Sequence, residues 1–375
     1  MKRFSRRFTL VLVLLALALF VVILASCGQN TSMLTGPEGA SGPTLAGLKV
    51  GDAAVATAIR AQNRHTPELM KMPGVVGTAI TADAKGQPAI LVLTESANNP
   101  NRHLPASLDG YSVIELVSGK IIAMRGHGGT SHTAKQTPPI QLGTSGGNTQ
   151  DIANGFCCSG TLGSLVHIGS TQYILSNSHV LCGDVVSGGN GRVATIGDDI
   201  NQPGLVDNNC SASNTNLVAD LSSLTTVYPP NSTPNVDCAI AQVRAGMVSS
   251  TGSILEIGTI SATTVGASVG QAVKKSGRTT GLSRSSISAI NASVSVGYDT
   301  ECGGTAFIKN YTGQILVTNS ASRFLNSGDS GSLMVEDVST NPRAVGLLFA
   351  GSSSIAVANP INDDLSHLGA SMVGQ

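Results

Sequence analysis

Three short segments of this 375-residue chain carry residue types that do chemistry together. Asn326-Ser327-Gly328-Asp329-Ser330-Gly331-Ser332 lies towards the C-terminus. Ser176-Asn177-Ser178-His179-Val180-Leu181 and Val236-Asp237-Cys238-Ala239-Ile240-Ala241 precede it. A serine hydroxyl is a weak nucleophile and needs an imidazole to take its proton as it attacks a carbonyl. The imidazole needs a carboxylate on its other nitrogen, to fix the tautomer and stabilise the imidazolium. The resulting oxyanion needs preorganised N–H donors, each worth about 3 kcal/mol of barrier. Gly328 and Gly331 allow a turn without obstructing side chains, so the N–H groups of Gly328 and Ser330 are the expected donors. Asp329, between them, is expected to order the loop or to enter a buried ion pair. Asp220, in Val218-Ala219-Asp220-Leu221, rivals Asp237 as the acid; Asp237 is preferred for its better-matching segment.

These groups need a rigid frame. Tyr173-Ile174-Leu175-Ser176 is a short apolar run that would deliver His179 to a barrel rim. Residues 236–243 alternate as a strand with Asp237 near its start. Residues 332–335 leave the serine turn, and the apolar run Ala344–Gly351 follows.

With Cys158-Ser159-Gly160-Thr161-Leu162-Gly163, Ser276-Gly277-Arg278-Thr279-Thr280-Gly281 and Ala358-Asn359-Pro360-Ile361 added, residues 156–375 resemble the trypsin-like (chymotrypsin-fold) serine peptidases of a bacterial branch. The His, Asp, Ser order is that of this class; subtilisins and α/β-hydrolases use others. The resemblance implies a mainly β fold of two six-stranded antiparallel barrels. His179 and Asp237 would come from the first, Ser330 from the second, and the active site would lie in the crevice between them. It implies a serine endopeptidase acting on a protein or peptide substrate through an acyl-enzyme, with neither cofactor nor metal. In such enzymes the residue six before the nucleophile forms the pocket base, here Phe324, and Phe349-Ala350-Gly351 would form the wall. An apolar or small side chain is then expected before the cleaved bond, unless Arg323 turns inward and favours an acidic one. The resemblance further implies a disulfide between Cys158 and Cys182, with Cys157 as the alternative to Cys158. Activation is not expected to require a new N-terminus. A reading from another class is a surface-anchored binding protein on a protease scaffold, with little or no hydrolysis.

The N-terminus supplies an address. Lys2, Arg3, Arg6 and Arg7 precede an almost wholly apolar stretch, residues 10–24, that ends in Leu24-Ala25-Ser26-Cys27. This reads as a signal peptide, residues 1–26, rather than a membrane span. Its ending resembles the bacterial lipobox, which implies lipid attachment at Cys27. The expected location is extracytoplasmic, as a membrane-anchored lipoprotein at the cell surface or in the periplasm. Without the four basic residues of the leader, 18 of the 22 Lys and Arg remain against 22 Asp and Glu, a net charge of −4. With no basic patch, nucleic-acid binding is excluded. Cys157, Cys158, Cys182, Cys210, Cys238 and Cys302 follow Cys27. An even count in an exported protein argues for disulfides, and six cysteines allow fifteen pairings.

Residues 27–49, rich in Gly, Ser, Thr and Pro, read as a lipid-attached tether. Residues 50–125 read as a small α+β domain, with a helix over 52–70 and strands at 75–81, 89–94, 111–117 and 120–124. It would serve as a folding or cleft-occluding segment, or as a spacer. Residues 126–155 read as a linker in which His127 and His132 are expected to face solvent.

Overall fold

The computed structural model describes residues 47–97, 99–123, 132–153, 156–182, 194–224, 235–298 and 306–375. The leader, Cys27, most of the tether and His127 lie outside the described residues. Among those described, no helix is long and apolar enough to cross a membrane.

The first elements follow from simple periodicity. Helix α1 (Ala53–Leu69) buries Val55, Ala58, Ala61, Gln62 and Leu69, and Gly74 (φ +74°) turns the chain just beyond it. Strands β1 (Val75–Ala82) and β2 (Pro88–Thr94) are buried along almost their whole length, because α1 packs on them. Short β3 (Ser107–Leu108) pairs with β4 (Tyr111–Val117), which lies parallel to β2. The two-residue β5 (Ile122–Ala123) ends this part.

The next strands are β6 (Thr144–Asn148), β7 (Ile152–Ala153), β8 (Phe156–Cys157), β9 (Gly160–Leu162), β10 (Ser164–Ile168) and β11 (Thr171–Ser176). A single helical turn, α2 (Ser178–Leu181), precedes β12 (Asp199–Gln202), β13 (Asn216–Leu224) and β14 (Ala239–Val243). The chain finishes with β15 (Ala272–Gly277), β16 (Gly281–Tyr298), β17 (Phe307–Thr318), β18 (Leu333–Glu336), β19 (Ala344–Gly351), β20 (Ile355–Pro360), α3 (Ile361–Leu368) and β21 (Ser371–Met372).

Two barrel-like sheets result, and the protein is mainly β. The first runs β21-β10-β11-β14-β13-β12-β6-β9 around a core that includes Leu162, Leu175, Ile200 and Ile240. The second closes as a ring, β15-β18-β19-β20-β17-β16, because β16 also pairs back to β15. Strand β16 is 18 residues long and serves two partners along one edge: residues 281–286 pair with β15, and residues 290–294 with β1.

That pairing changes the expected organisation. Residues 50–125 are not a separate unit, because β1, β2 and β4 extend the second sheet and residues 45–375 form one body. Of the expected linker, residues 126–155, the described part, residues 132–153, is not a free linker either, since β6 is a fully buried strand of the first sheet. Its Thr-Ser-Gly-Gly-Asn composition reflects close packing: a Cβ on Gly146 would collide with the Leu162 side chain. Within the same stretch His132 is buried rather than solvent-facing. Its Nδ1 lies 2.8 Å from the Gly143 carbonyl and its Nε2 2.8 Å from Glu256 Oε2.

The cysteine pairing also differs from the expectation. Cys157 is joined to Cys210, Cys158 is disulfide-bonded, and Cys182 is a buried free thiol, so no Cys158–Cys182 bridge exists. Cys182 closes α2 with its N–H on the Ser178 carbonyl, and its sulfur lies 3.5 Å from Ser178 Oγ.

Candidate active site

The register of two neighbouring strands brings His179 and Asp237 together. Ser176 at the end of β11 pairs with Ala239 at the start of β14, so His179 and Asp237 emerge from the same end of the sheet. Asn177, which precedes α2, donates its side-chain amide to the Asp237 carbonyl at 2.7 Å, and Asn359 of β20 donates to the same oxygen at 3.2 Å. His179 Nδ1 then meets Asp237 Oδ2 at 2.6 Å, while the His179 N–H donates to Oδ1 at 3.2 Å. A third donor, the Tyr298 hydroxyl at the end of β16, reaches Oδ2 at 2.8 Å. Burial pushes the Asp237 carboxyl upward. The His179 imidazole and the hydrogen bonds from His179 and Tyr298 outweigh it and hold the group below the usual carboxylate range. Asp220 is occupied elsewhere, its carboxylate held by Arg244 at 2.5 and 3.2 Å.

Ser330 stands in a turn closed by Gly328 (φ +95°) and Gly331 (φ +90°), conformations that side-chain-bearing residues rarely adopt. Gly331 also has no room for a Cβ, which would strike Ser176 Oγ and the Thr161 carbonyl. Asp329 anchors this turn from beneath. Its carboxylate accepts from the N–H groups of Thr279, Thr280 and Asn326 (2.9, 3.1 and 2.9 Å) and from Thr280 Oγ1 (2.8 Å). It also pairs with Lys275 Nζ at 3.1 Å, and both side chains are wholly buried. Burial pushes the Lys275 ammonium down, and the Asp329 charge opposes that shift. An internal lysine thus neutralises the acid beside the serine.

Strand β9 clamps the two halves of the site. The Thr161 N–H donates to the Ser330 carbonyl at 2.8 Å and its hydroxyl to the Gly328 carbonyl at 2.9 Å. A Cβ on Gly160 would lie 2.6 Å from Val180, the residue after His179, and 2.9 Å from the Ser330 carbonyl. The buried Arg278 guanidinium joins the barrels again through Asp207, with two bonds of 2.6 Å. Among the described residues, the N–H groups of Gly328 and Ser330 have no protein acceptor.

The site is closed. His179 is 1 % exposed, and Asp237 and Ser330 are 0 %. Ser330 Oγ donates to the Phe349 carbonyl at 3.0 Å, and His179 Nε2 is buried without a hydrogen-bond partner. Strand β5 lies alongside: Ile122 pairs antiparallel with Gly351 and Ala123 with Ala350, while the other edge of β5 meets Gly297. Phe349, Ala350 and Gly351 are consequently buried. Phe324, expected at a pocket base, is 2 % exposed and belongs to the apolar core of the second barrel with Leu325, Val345 and Leu348. The preceding turn at Ala321 and Ser322 (φ +53° and +56°) and the Asn319 carboxamide, which accepts the Phe324 N–H, draw it inward. Arg323 is exposed.

Other chemistries are less well provided for. Burial pushes the Cys182 thiol up to about 12 and the Cys238 thiol well above its ordinary value, so neither is a thiolate at neutral pH. Among the described residues, no cluster of three or more His, Cys, Asp or Glu side chains is grouped to hold a metal ion. Sequence reasoning missed Tyr298 and Lys275. The available signal for Lys275 was a basic residue in an otherwise buried strand.

Residues 234–359 match the family model described as the Nal1 C-terminal domain, a stretch that includes Asp237 and Ser330 but not His179. A glutamic acid specific serine protease that uses a histidine triad in substrate binding is similar at 19 % identity and a TM-score of 0.40, over 62 % of this chain and 100 % of that one. Thermobifida fusca protease A is similar at 20 % identity and a TM-score of 0.41, over 63 % and 99 % of the two chains. Cellulomonas bogoriensis chymotrypsin is similar at 20 % identity and 0.38, over the same shares. No match is found among curated proteins.

Proposed function

We propose that the chain is a serine endopeptidase hydrolysing peptide bonds through an acyl-enzyme. The observation that carries this is the 2.6 Å bond between His179 Nδ1 and Asp237 Oδ2, beside a glycine-flanked serine turn clamped to the same rim. Ser330 Oγ attacks the substrate carbonyl carbon while His179 Nε2 takes its proton. The N–H groups of Gly328 and Ser330 hold the oxyanion. Collapse breaks the C–N bond, and the imidazolium returns the proton to the leaving amine. Water then repeats the sequence on the ester and frees the acid. Each turnover begins with rotation of the Ser330 hydroxyl away from the Phe349 carbonyl and displacement of β5 from the Ala350–Gly351 edge. Export and attachment to the membrane through a lipid on Cys27 complete the proposal.

One observation favours the second reading, a binding protein on a protease scaffold: the reacting groups are buried and β5 fills the edge beside them. Fluorophosphonate labelling of the purified mature protein separates the two. Labelling that Ser330→Ala abolishes supports hydrolysis; labelling that survives this substitution removes Ser330 from the role. Cys27→Ser tests the anchor, and equal incorporation of a fatty-acid analogue by wild type and variant would refute it.

A further inference from the structure

We infer that Tyr298 is a positioning residue for the proposed hydrolysis, its hydroxyl fixing the Asp237 carboxylate that orients His179. The inference rests on the peptidase reading. Asp237 is an acceptor-only group sealed from water, and among the described residues two of its carboxylate's three donors come from His179 itself. Among the described residues Tyr298 is the one side-chain donor to this carboxylate outside that pair, and it shares Oδ2 with the imidazole.

The phenol is itself immobilised. Its ring stacks on Phe307 with centroids 4.9 Å apart and planes 6° from parallel, and it meets the His179 ring edge-on at 5.9 Å. Its oxygen lies 2.5 Å from the Tyr311 hydroxyl. A carboxylate cannot donate, so the Tyr298 proton points to Asp237 and Tyr311 must donate to Tyr298. The tilted Tyr311 ring rests on Phe349 at 4.9 Å, and the Phe349 carbonyl accepts the Ser330 hydroxyl. His179 and Asp237 leave the first barrel, whereas Tyr298, Tyr311, Phe349 and Ser330 belong to the second. The two phenols thus set the imidazole–carboxylate pair in register with the serine across the barrel junction. Burial and the adjacent carboxylate push the Tyr298 phenol well above its ordinary value, so it remains a donor throughout the working range of pH. Among the described residues, the other titratable groups coupled to Asp237 are Tyr311, Lys309, Cys182, Cys238 and Asp364.

The test is Tyr298→Phe in the full mature protein, which keeps the stacked ring and removes only the hydroxyl. Hydrolysis of a peptide ester should show kcat lowered about tenfold with KM unchanged. With its charge less shared, Asp237 holds the imidazolium more firmly, so the acid limb of the kcat/KM profile should move to higher pH. Tyr311→Phe should act in the same direction but more weakly. A folded Tyr298→Phe with wild-type kcat overturns the inference, and so does a lowered kcat with an unmoved acid limb, which marks a merely structural phenol. If Tyr298→Phe does not fold, Tyr311→Phe decides by the same two readouts. Absence of fluorophosphonate labelling in the wild type would overturn the peptidase reading itself. A labelled wild type with an unaffected Tyr298→Phe variant overturns only the role of Tyr298.

Discussion

Strand β5 gives the proposed enzyme a measurable latency. Ile121, the residue just before it, is 2 % exposed and packs in one apolar cluster with Ala123, Phe349 and Ala350, and its carbonyl accepts the Gly297 N–H at 3.0 Å. Ile122, in contrast, is 39 % exposed. Full burial of an isoleucine side chain is worth about 1.5–3 kcal/mol. Truncation of Ile121 to alanine should remove about 2 kcal/mol of the energy that holds β5 against β16 and β19. If the covered state dominates, apparent substrate affinity scales with the small uncovered fraction. About 2 kcal/mol then raises that fraction about 30-fold, at about 1.4 kcal/mol per tenfold. Ile121→Ala should therefore lower KM for a peptide substrate about 30-fold, leave kcat near wild type and accelerate fluorophosphonate labelling to the same degree. Ile122→Ala, which alters a half-exposed side chain, should change these values by less than about threefold. Steady-state kinetics and timed labelling, with circular dichroism to verify folding, form the assay. A folded Ile121→Ala variant with wild-type KM and labelling rate would show that β5 does not compete with substrate.

Asp237→Asn should lower kcat by roughly 10⁴ through the wrong imidazole tautomer. Asp220→Asn, which disturbs only the partly exposed Arg244 pair, should leave kcat almost unchanged; the reverse pattern in ester hydrolysis would move the acid role to Asp220. Lys275→Met strands the buried Asp329 charge and should cost about 3–5 kcal/mol in urea unfolding, with slower labelling because the serine turn loosens; an unchanged unfolding midpoint would refute the anchor. Asp364 is pushed well above the usual carboxylate range, first by burial. Its stabilising neutral form is fully kept below the unfolded value of about 3.9 and is lost as pH rises through the folded value. Asp364→Asn should therefore raise Tm at pH 7 and not at pH 3, and a pH-independent Tm difference would contradict this.

The sequence made some of this structure legible and concealed the rest for identifiable reasons. Helix α1 and strands β1, β2 and β4 stand within a residue or two of the expected positions, because apolar spacing marks them directly. Attachment of β1 to β16 was invisible, since a strand's partner more than 200 residues away leaves no local pattern. Strand β6 was hidden by its lack of large apolar residues; its burial depends on Leu162 filling the space above Gly146. The His179–Asp237 contact was foreseeable because both lie at ends of apolar runs. Tyr298 was not, since the phenol acts on a residue of the other barrel. Cysteine pairing depends on three-dimensional proximity that spacing does not encode, and Phe324 was drawn into the core by a turn with two left-handed residues that are not glycine.

The shared edge of β16 also decides where this protein can be cut. A fragment that begins at residue 132 would retain His179, Asp237 and Ser330, yet would lose β1 and the cover of α1. The β1-facing edge of β16 at residues 290–294 would then present unpaired N–H and C=O groups beside newly exposed Ile290 and Val294. Such an edge is a template for pairing with another chain. Minimal versions of the protein should therefore start upstream of α1, and shorter ones should accumulate as aggregates even though every reacting group is present.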